Sequence, residues 1–440
     1  MKPIQVGLLG IGTVGGGTYT VLSRNEAEIT RRAGRPIRIV QVADKNLALV
    51  QQITGGKVAV TDDAFAVVNN PEIDIVVELI GGYGIAKDLV LKAIENGKHV
   101  VTANKALLAV HGNEIFAAAQ RKGVMIGFEA AVAGGIPIIK ALREGLTANR
   151  IQWIAGIING TTNFILSEMR DKGLGFDTVL KEAQRLGYAE ADPTFDVEGV
   201  DAAHKLTIMS AIAFGIPMQF DKAHIEGISK LEAADIKYAE QLGYRIKLLG
   251  ITKRRKLNGG AGIELRVHPT LIPAKRLIAN VEGAMNAVLV QGDAVGSSLF
   301  YGKGAGAEPT ASSVIADLVD ITRLKTSDPE NRVPHLAFQP DAVSDMPILP
   351  MAEVECGYYL RMRVEDKPGV LADITRILAD QQISIDAMIQ REPAEGEQQT
   401  DIIILTHIAR EAQVDAAIAK IEALPVVSGK IIRLRLEELN

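Results

Sequence analysis

The sequence predicts an α/β protein with a Rossmann-type doubly wound parallel sheet, a second domain of mixed α/β type, and a ferredoxin-like C-terminal domain. Apolar runs alternate with helical patterns over residues 1–130, and a glycine-rich loop follows the first run. After residue 354, strand and helix patterns follow the order β-α-β-β-α-β. We predict domains at 1–130, 131–330 and 355–440 with a proline-rich linker at 331–354, and expect about 302–324 to return to the first domain.

The composition restricts the class of protein. Of 440 residues, 47% are hydrophobic and 23% are charged, as in ordinary globular proteins. The net charge of −5 and the lack of a basic patch argue against a nucleic-acid partner. The single cysteine, Cys356, excludes a disulfide framework and a thiolate metal cluster. No signal peptide or long unbroken apolar run is present, so we expect a cytoplasmic protein without a membrane partner.

The first predicted strand, residues 4–9, leads directly into a glycine-rich loop. Glycines at this position allow a tight turn and a close approach to a pyrophosphate, and the following helix N-terminus binds the phosphate charge. The alternation continues with strands at 37–43, 73–79, 99–102 and 124–128. We therefore predict a nicotinamide dinucleotide site with the loop residues Gly10, Ile11, Gly12, Thr13, Val14 and Gly15.

Two adjacent residues after the second strand bear on the choice of cofactor. Asp44 can accept hydrogen bonds from a ribose 2′-hydroxyl, whereas Lys45 can bind a 2′-phosphate. Their distance along the chain from the glycine loop exceeds the usual ~20 residues, because a polar stretch at 24–35 intervenes. The sequence therefore leaves both NADP and NAD open.

Carboxylates and a lysine are concentrated just before an apolar helix. Asp201 and Lys205 are four residues apart, so on a helix they share one face. Glu190 and Asp196 precede them in an irregular stretch, and this set of charges suits a small zwitterion. Lys105 follows the strand at 99–102, at the edge of a parallel sheet where ligands bind. We predict that these residues contribute to a substrate site.

Three motifs in this order resemble those of homoserine dehydrogenases. They are Thr102-Ala103-Asn104-Lys105-Ala106, the run from Gly187-Tyr188-Ala189 through Asp192-Pro193 to Lys205, and Gly302-Lys303-Gly304-Ala305-Gly306 with Pro309-Thr310. The resemblance implies NAD(P)-dependent interconversion of L-homoserine and L-aspartate 4-semialdehyde in threonine and methionine biosynthesis. It also implies that the mixed α/β domain at 131–330 is a catalytic and dimerisation domain, and that the protein is a homodimer or homotetramer.

The resemblance also implies roles for individual residues. Lys205 is implied as the proton donor, and Lys105 as a residue where substrate and cofactor meet. This agrees with the chemistry, because an ammonium group can stabilise and protonate the oxygen of a carbonyl that accepts a hydride. Implied substrate ligands are Glu190, Asp196 and Asp201. Implied cofactor contacts are Lys105, Gly187, Glu190, Gly302 and Gly304. A monovalent cation, sodium or potassium, is implied at Glu129, Val132, Gly134 and Ile136, mainly through backbone oxygens.

The C-terminal segment contains the turn Lys367-Pro368-Gly369-Val370-Leu371, which resembles that of ACT domains. These domains bind amino acids where two copies meet, so the resemblance implies L-threonine as a feedback inhibitor. Glycine at position 369 would allow a ligand to approach the backbone closely. We expect the effect to pass through the linker at 334–350. The alternative is a dimerisation domain without a ligand.

Two other interpretations of the function of the whole chain stay open at this point. One is a related two-domain amino-acid dehydrogenase with another substrate. The other is a non-catalytic NAD(P)-sensing regulator that binds amino acids, which would need neither Lys105 nor Lys205. A phosphorylating semialdehyde dehydrogenase is disfavoured, because Cys356 is the only thiol and lies far along the chain from the predicted site.

Overall fold

A computed structural model describes residues 2–257, 260–393 and 396–440. They form two compact units, each made of three stretches of sequence. The first unit comprises residues 1–160, 201–223 and 284–346, and the second comprises 161–200, 224–283 and 347–440. The domain limits derived from the sequence, which are consecutive along the chain, stay a prediction.

The first unit begins with the predicted alternation of strands and helices. Its six-stranded parallel sheet has the order β3-β2-β1-β4-β5-β6, which confirms the Rossmann-type prediction. The strands are β1 (Ile4–Leu9), β2 (Ile37–Ala43), β3 (Ala59–Thr61), β4 (Ile75–Glu78), β5 (His99–Thr102) and β6 (Ile126–Gly127). The helices are α1 (Thr13–Arg24), α2 (Glu26–Ala33), α3 (Leu47–Thr54), α4 (Ala64–Asn69), α5 (Gly84–Glu95) and α6 (Lys105–Lys122).

Three elements of this part differ from the sequence prediction. The polar stretch after α1 forms helix α2, which buries only Ile29 and Ala33. The three-residue strand β3 was not predicted, because so short a run has no clear periodicity. Strand β6 is shorter than predicted. The N–H of Met125, the residue before β6, donates to His99 Nδ1. The N–H of Ile126, the first residue of β6, donates to His335 Nε2.

Residues 131–324 supply further parts of both units. Helix α7 (Ile138–Lys140) continues as a π-helical turn over Ala141–Gly145. The strands are β7 (Ile151–Ile157), β8 (His224–Ile225), β9 (Tyr244–Leu257), β10 (Gly260–Pro273), β11 (Met285–Gly292) and β12 (Gly296–Lys303). The helices are α8 (Gly160–Lys172), α9 (Phe176–Arg185), α10 (Thr194–Val197), α11 (Val200–Phe214), α12 (Ala233–Gln241) and α13 (Ala307–Leu324).

Helix α13 packs on the six-stranded parallel sheet of the first unit. Val314 and Leu318 are fully buried in the same apolar cluster as Val6 of β1 and Val77 of β4. A Cβ atom on Gly17 of α1 would lie 2.5 Å from the Ala307 carbonyl oxygen, so the close approach of α1 and α13 requires glycine there. The same unit contains a three-stranded antiparallel sheet in the order β12-β11-β7.

The second unit is built on a sheet with the order β9-β10-β17-β13-β15-β14. Its C-terminal part has the predicted β-α-β-β-α-β order with one additional short strand, β16, and it buries its own apolar core. The strands are β13 (Glu355–Glu365), β14 (Ile385–Gln390), β15 (Gln399–Thr406), β16 (Ala409–Arg410) and β17 (Val427–Leu436), and the helices are α14 (Val370–Asp380) and α15 (Glu411–Glu422).

Strand β17 joins the C-terminal part to the long hairpin of the same unit. It pairs with β10 in parallel, with Thr270 opposite Arg435 and Leu271 opposite Leu436. The Glu437 N–H extends this ladder by donating to the Leu271 carbonyl oxygen at 3.0 Å. The C-terminal domain is therefore attached by a shared sheet as well as by the chain that precedes it.

A buried ionic network reinforces this junction. Arg266 of β10 and Arg435 of β17 are each only 1% exposed. Arg266 binds Glu437, while Arg435 binds Glu411 of α15 and Glu226. Each guanidinium thus has a carboxylate partner, as groups excluded from water require. Arg266 also binds Glu264 of its own strand, so each guanidinium has two carboxylate partners.

The stretch predicted as a linker is hydrogen-bonded within both units. In the first unit, the Ser344 N–H donates to the Gly215 carbonyl oxygen at 2.7 Å. In the second, the Leu349 N–H donates to the Ile263 carbonyl oxygen at 2.8 Å, and the Ile263 N–H donates to the Pro347 carbonyl oxygen at 2.9 Å. The stretch therefore follows a defined path.

In the described ranges, no helix combines the length and apolar character needed to cross a bilayer.

Candidate active site

The glycine-rich loop connects β1 to helix α1. Gly10 has a φ of +92°, a conformation that side chains disfavour, and a Cβ there would lie 2.8 Å from the Leu79 carbonyl oxygen. Gly12 is the N-cap of α1 and is exposed, with no atom within 4 Å of the place where its Cβ would be. The open loop and the first amides of α1 fit a dinucleotide pyrophosphate.

Asp44 is fixed to this loop. Its Oδ2 atom accepts a hydrogen bond from the Ile11 N–H at 2.7 Å, and its Oδ1 atom accepts one from the Asn46 N–H at 2.7 Å. Lys45 is exposed. Helix α2 accounts for the long sequence separation between the loop and Asp44, which nevertheless meet in the structure.

The two predicted lysines lie on either side of one carboxylate. Lys205 and Asp201 are one turn apart on α11, with Lys205 Nζ 2.6 Å from Asp201 Oδ2. Lys105, the first residue of α6, places its Nζ atom 3.1 Å from Asp201 Oδ1. Lys205 Nζ also donates to the Ile158 carbonyl oxygen at 2.7 Å, and Asn159 Nδ2 donates to Asp201 Oδ2 at 2.9 Å. We call this group the Asp201 cluster.

The electrostatics of the Asp201 cluster favour the charged form of the carboxyl group. Asp201 is 4% exposed, and burial alone would raise its pKa. Lys205, Lys105 and the hydrogen bond from Asn159 outweigh burial and hold the pKa of Asp201 well below its usual range. One carboxylate therefore faces two ammonium groups.

His204 borders this cluster on α11. Its side chain is fully buried, and its ring packs against Phe220 with ring centroids 4.3 Å apart. Burial lowers the pKa of His204 to about 4, with Lys105 and Lys205 acting in the same direction and Asp201 opposing them. The imidazole is therefore neutral at physiological pH and adds no charge to the two ammonium groups and one carboxylate.

The remaining predicted substrate residues lie in the second unit. Gly187 has a φ of +78° and follows α9. The exposed Glu190 lies three residues further on, and Gln184 Nε2 donates to its carbonyl oxygen at 3.0 Å. Asp196 belongs to the short helix α10 and is partly buried. The Asp201 cluster itself belongs entirely to the first unit.

The residues predicted to bind a monovalent cation form one buried loop. Both carboxylate oxygens of Glu129 already accept backbone N–H groups, from Ile139 and Lys140, each at 2.8 Å. Burial, together with Asp317, raises the pKa of Glu129 to about 7. The backbone oxygens are therefore the ligand atoms that the loop offers; the other three residues are Val132, Gly134 and Ile136. Across the described residues, no group of three or more His, Cys, Asp and Glu side chains could hold a metal ion.

The third sequence motif packs against this loop, which we call the cation loop after the prediction. A Cβ on Gly134 would lie 2.4 Å from the Gly304 carbonyl oxygen, and one on Gly302 would lie 3.1 Å from Ile136. Gly304 is equally confined by the Asn286 side chain. The two loops can approach each other this closely because the contact positions lack side chains.

Gly369 lies in the C-terminal domain, at the N-cap of α14. Its φ is +96°, and no atom lies within 4 Å of the place where its Cβ would be. The residue is exposed. The turn therefore offers an open backbone surface at a position where a side chain would strain the backbone. The effector site at this turn stays a prediction.

Sequence reasoning missed two polar residues that support the site. Asn159 follows β7 in a stretch that resembles an ordinary turn, and no local pattern indicates its contact with Asp201. Glu78 is fully buried at the end of β4. The sequence does contain an indication for Glu78, because it places a carboxylate at the end of an otherwise apolar strand. Such a place is costly for a charge.

Family models match three consecutive stretches of the chain. Residues 10–129 match the homoserine dehydrogenase NAD-binding domain, residues 137–319 match the homoserine dehydrogenase model, and residues 358–426 match the ACT domain. A homoserine dehydrogenase of Pseudomonas aeruginosa is 64% identical, and one of Neisseria gonorrhoeae is 59% identical, each covering 100% of both chains.

Solved structures agree with these matches. A homoserine dehydrogenase from Thiobacillus denitrificans is 70% identical with a TM-score of 0.95, covering 100% of this chain and 99% of that one. The enzyme from S. aureus at pH 7.5 is 33% identical with a TM-score of 0.75, covering 99% of each. A hyperthermophilic archaeal homoserine dehydrogenase mutant in complex with NADPH is 25% identical with a TM-score of 0.63, covering 74% of this chain and 99% of that one. The chain therefore belongs to the homoserine dehydrogenase family and is an NAD(P)-dependent oxidoreductase that acts on a CH–OH group.

Proposed function

We propose that Lys205 is the proton donor when the aldehyde is reduced to homoserine. The observation that carries this proposal is the fixed position of its ammonium group, held by Asp201 Oδ2 and the Ile158 carbonyl oxygen. A nicotinamide cofactor, when bound, would supply the hydride for the aldehyde carbon. Lys205 protonates the carbonyl oxygen, and in the oxidative direction the neutral amine accepts the proton of the substrate hydroxyl.

Asp201 acts mainly through the two lysines in this proposal. Its two oxygens accept hydrogen bonds from protein groups, so it orients Lys105 and Lys205 and balances one of their two charges. With His204 neutral, the cluster retains a net charge of about +1, which suits an oxygen that becomes negative during hydride addition. The role of Asp201 as a direct substrate ligand stays a prediction.

Glu190 and Asp196 are our candidates for binding the ammonium group of homoserine. An ammonium group requires oxygen acceptors, and both residues are carboxylates in the segment that carries the family motif. We keep Gly187, Gly302 and Gly304 as predicted cofactor contacts. For the cofactor itself, we propose use of both NADP and NAD, since Asp44 and Lys45 offer a hydroxyl acceptor and a phosphate ligand side by side.

We propose that the cation loop binds sodium or potassium through the carbonyl oxygens of Glu129, Val132, Gly134 and Ile136. The donor set fits a hard cation, because oxygen atoms are its preferred ligands. The Gly134 oxygen accepts only one protein hydrogen bond in the described contacts, from Ser313 Oγ, and a carbonyl can accept two. Thermal unfolding in sodium, potassium and choline chloride at equal ionic strength tests this. Equal midpoints in all three salts would contradict it.

We also propose that threonine is the effector of the ACT domain and that the enzyme works as a homodimer or homotetramer. The open turn at Gly369 supports the first proposal. The shared ladder of β10 and β17 gives the domain a route to the rest of the second unit besides the predicted linker. Analytical ultracentrifugation with and without threonine tests the assembly.

The role of Lys205 is tested by replacing it with alanine. We expect Lys205→Ala to lower kcat for homoserine oxidation by ~10²–10⁴-fold and to leave the Kd for NADP nearly unchanged. The control is Lys222→Ala, because Lys222 is exposed and lies just after the same helix. If Lys205→Ala keeps more than about half of the wild-type kcat, where loss of a general acid normally costs ~10²-fold or more, the proton comes from another group and Lys105 becomes the candidate.

A further inference from the structure

Glu78 is a charged residue buried at the end of a central strand of the nucleotide sheet. It is the last residue of β4, opposite Leu9 of β1 and Thr102 of β5, and it has no exposed surface. Its carboxylate forms no ion pair with any lysine, arginine or histidine in the described part of the chain. A buried charge without a counterion is costly, so its surroundings must compensate.

Hydrogen bonds from two loops supply that compensation. Glu78 Oε1 accepts the N–H groups of Ile80 and Gly81 at 2.8 and 3.0 Å. Glu78 Oε2 accepts the Thr102 hydroxyl at 2.7 Å. The same hydroxyl oxygen accepts the Asn104 N–H at 3.0 Å. One carboxylate therefore links the loop after β4 to the loop after β5.

Asn104 closes this link into a ring. Its Nδ2 atom donates to the Gly82 carbonyl oxygen at 2.7 Å, which returns the connection to the first loop. Its Oδ1 atom accepts the Leu107 N–H at 3.1 Å and so caps α6. Lys105 is the next residue after Asn104 and the first of α6. The ring thus ends directly beside a lysine of the Asp201 cluster.

The loop after β4 also lies against the nucleotide loop. A Cβ on Gly10 would lie 2.8 Å from the Leu79 carbonyl oxygen and 3.2 Å from the Ile80 nitrogen. Gly81 and Gly82 both have positive φ values and open space where a Cβ would be. The backbone fixed by Glu78 therefore borders both the glycine-rich loop and the start of α6.

We propose that Glu78, acting through Thr102 and Asn104, is a positioning residue that sets the place of Lys105 and of the Gly81–Gly82 backbone. This inference rests on the proposed role of Lys105 in the reaction. The buried carboxylate is suited to the task, because an ionised acceptor binds its donors more strongly than a neutral one. A misplacement of about 1 Å in such a group costs ~10²-fold in rate.

The test is a double-mutant cycle between Thr102 and Lys105. Thr102→Val removes the hydroxyl with little change of shape, and Thr102→Ser retains it. We expect Thr102→Val to lower kcat/KM for homoserine by roughly tenfold or more and Thr102→Ser to stay within about threefold of wild type. In a Lys105→Met background, Thr102→Val should cost less than about threefold, because the group that it positions is already gone.

The control for loss of a buried hydroxyl is Thr322→Val. Thr322 is buried in the same unit, and its hydroxyl donates only to the Leu318 carbonyl oxygen of its own helix among the described contacts. It should leave kcat/KM within about twofold of wild type in either background. Equal losses from Thr102→Val with and without Lys105 would overturn the positioning role. A Lys105→Met variant with wild-type kcat/KM would instead remove the role of Lys105 and the inference with it.

A second measurement concerns the loop alone. Asn104→Ser keeps an N-cap for α6 but removes the donor to the Gly82 carbonyl oxygen. We expect the Kd for NADP, measured by fluorescence titration, to rise by about threefold to tenfold, as loss of a buried hydrogen bond would cause. An unchanged Kd would show that Glu78 and Asn104 do not hold this loop for the cofactor.

Discussion

Lys105 and Lys205 come from two different helices and contact the two oxygens of one buried carboxylate, that of Asp201. The distances are 3.1 Å to Oδ1 and 2.6 Å to Oδ2. Because the carboxylate holds both groups, a change at Asp201 must affect both at once. The first prediction follows from this relationship.

We expect Asp201→Asn to lower kcat by ~10²-fold or more and to destabilise the fold at pH 7 by roughly 3–5 kcal/mol. The variant leaves two ammonium groups near a neutral amide. Since the pKa of Asp201 is lowered in the folded state, its stabilising contribution is complete above the unfolded pKa of about 3.9 and is lost as the pH falls below it. Urea unfolding of wild type and variant should therefore differ at pH 7 and converge in acid.

The control for Asp201→Asn is Asp221→Asn, at an exposed position soon after the same helix. It should change neither kcat nor the unfolding free energy by a measurable amount. A difference between wild type and Asp201→Asn that persists unchanged to pH 2 would contradict the assigned charge state.

The second prediction separates the two cofactors. Lys45→Ala should raise KM for NADP but not for NAD, if Lys45 binds a 2′-phosphate. Asp44→Ala should affect NAD more, and it should also weaken the glycine loop, because Asp44 accepts the Ile11 N–H. Steady-state kinetics with both cofactors decide the matter. Equal changes of KM for NADP and NAD in both variants would show that neither residue contacts the 2′ position of the cofactor ribose.

The third prediction concerns pH and His99. Burial lowers the pKa of His99 to about 4, and its Nδ1 atom accepts the Met125 N–H. Between pH 6.5 and 4 the unfolded chain binds the proton and the folded chain does not, so stability falls as the pH falls through this range. From pH 7.5 to 5 the loss from this residue should be roughly 2 kcal/mol.

His99→Asn keeps an acceptor for the Met125 N–H and removes the titration. Urea unfolding of this variant should therefore depend less on pH than that of wild type, by roughly the same 2 kcal/mol. His407→Gln is the control, since His407 is exposed. If wild type and His99→Asn show the same pH dependence, His99 does not titrate as inferred.

The fourth prediction concerns threonine. Gly369→Val should weaken inhibition of homoserine oxidation at fixed substrate by about 5-fold to 150-fold in apparent affinity, the usual range of coupling between sites. Gly429→Val is the matched control, because Gly429 also has a positive φ, of +75°, and open space at its Cβ position in the same domain. Equal inhibition of wild type and both variants would place threonine elsewhere, for example in the substrate pocket as a mimic of homoserine.

The six-stranded parallel sheet of the first unit could be predicted, because the sequence patterns that indicate its strands are local. Buried strands end at glycines or polar residues, and the spacing of Asp201 and Lys205 places them on one face of a helix without knowledge of the fold. The contact between Lys105 and Asp201 was not predictable from the residues alone, since 96 positions separate them and only the tertiary fold joins them. Asn159 was missed for the same reason, whereas Glu78 was missed although its place at the end of an apolar strand was a local indication. Their partners are loop amides, hydroxyls and distant side chains that leave no periodic pattern.

The pairing of β10 with β17 has a consequence for how the second unit melts. Leu271 and Leu436 are paired in one ladder, and Arg266 binds Glu437 in addition to Glu264 of its own strand. Unfolding the ACT domain alone would uncover the edge of β10 and remove one of the two carboxylates that bind the buried guanidinium of Arg266. The regulatory domain and the long hairpin should therefore form one cooperative folding block. A chain cut near Leu349 would therefore lose the strand that pairs with β10 together with the ACT domain.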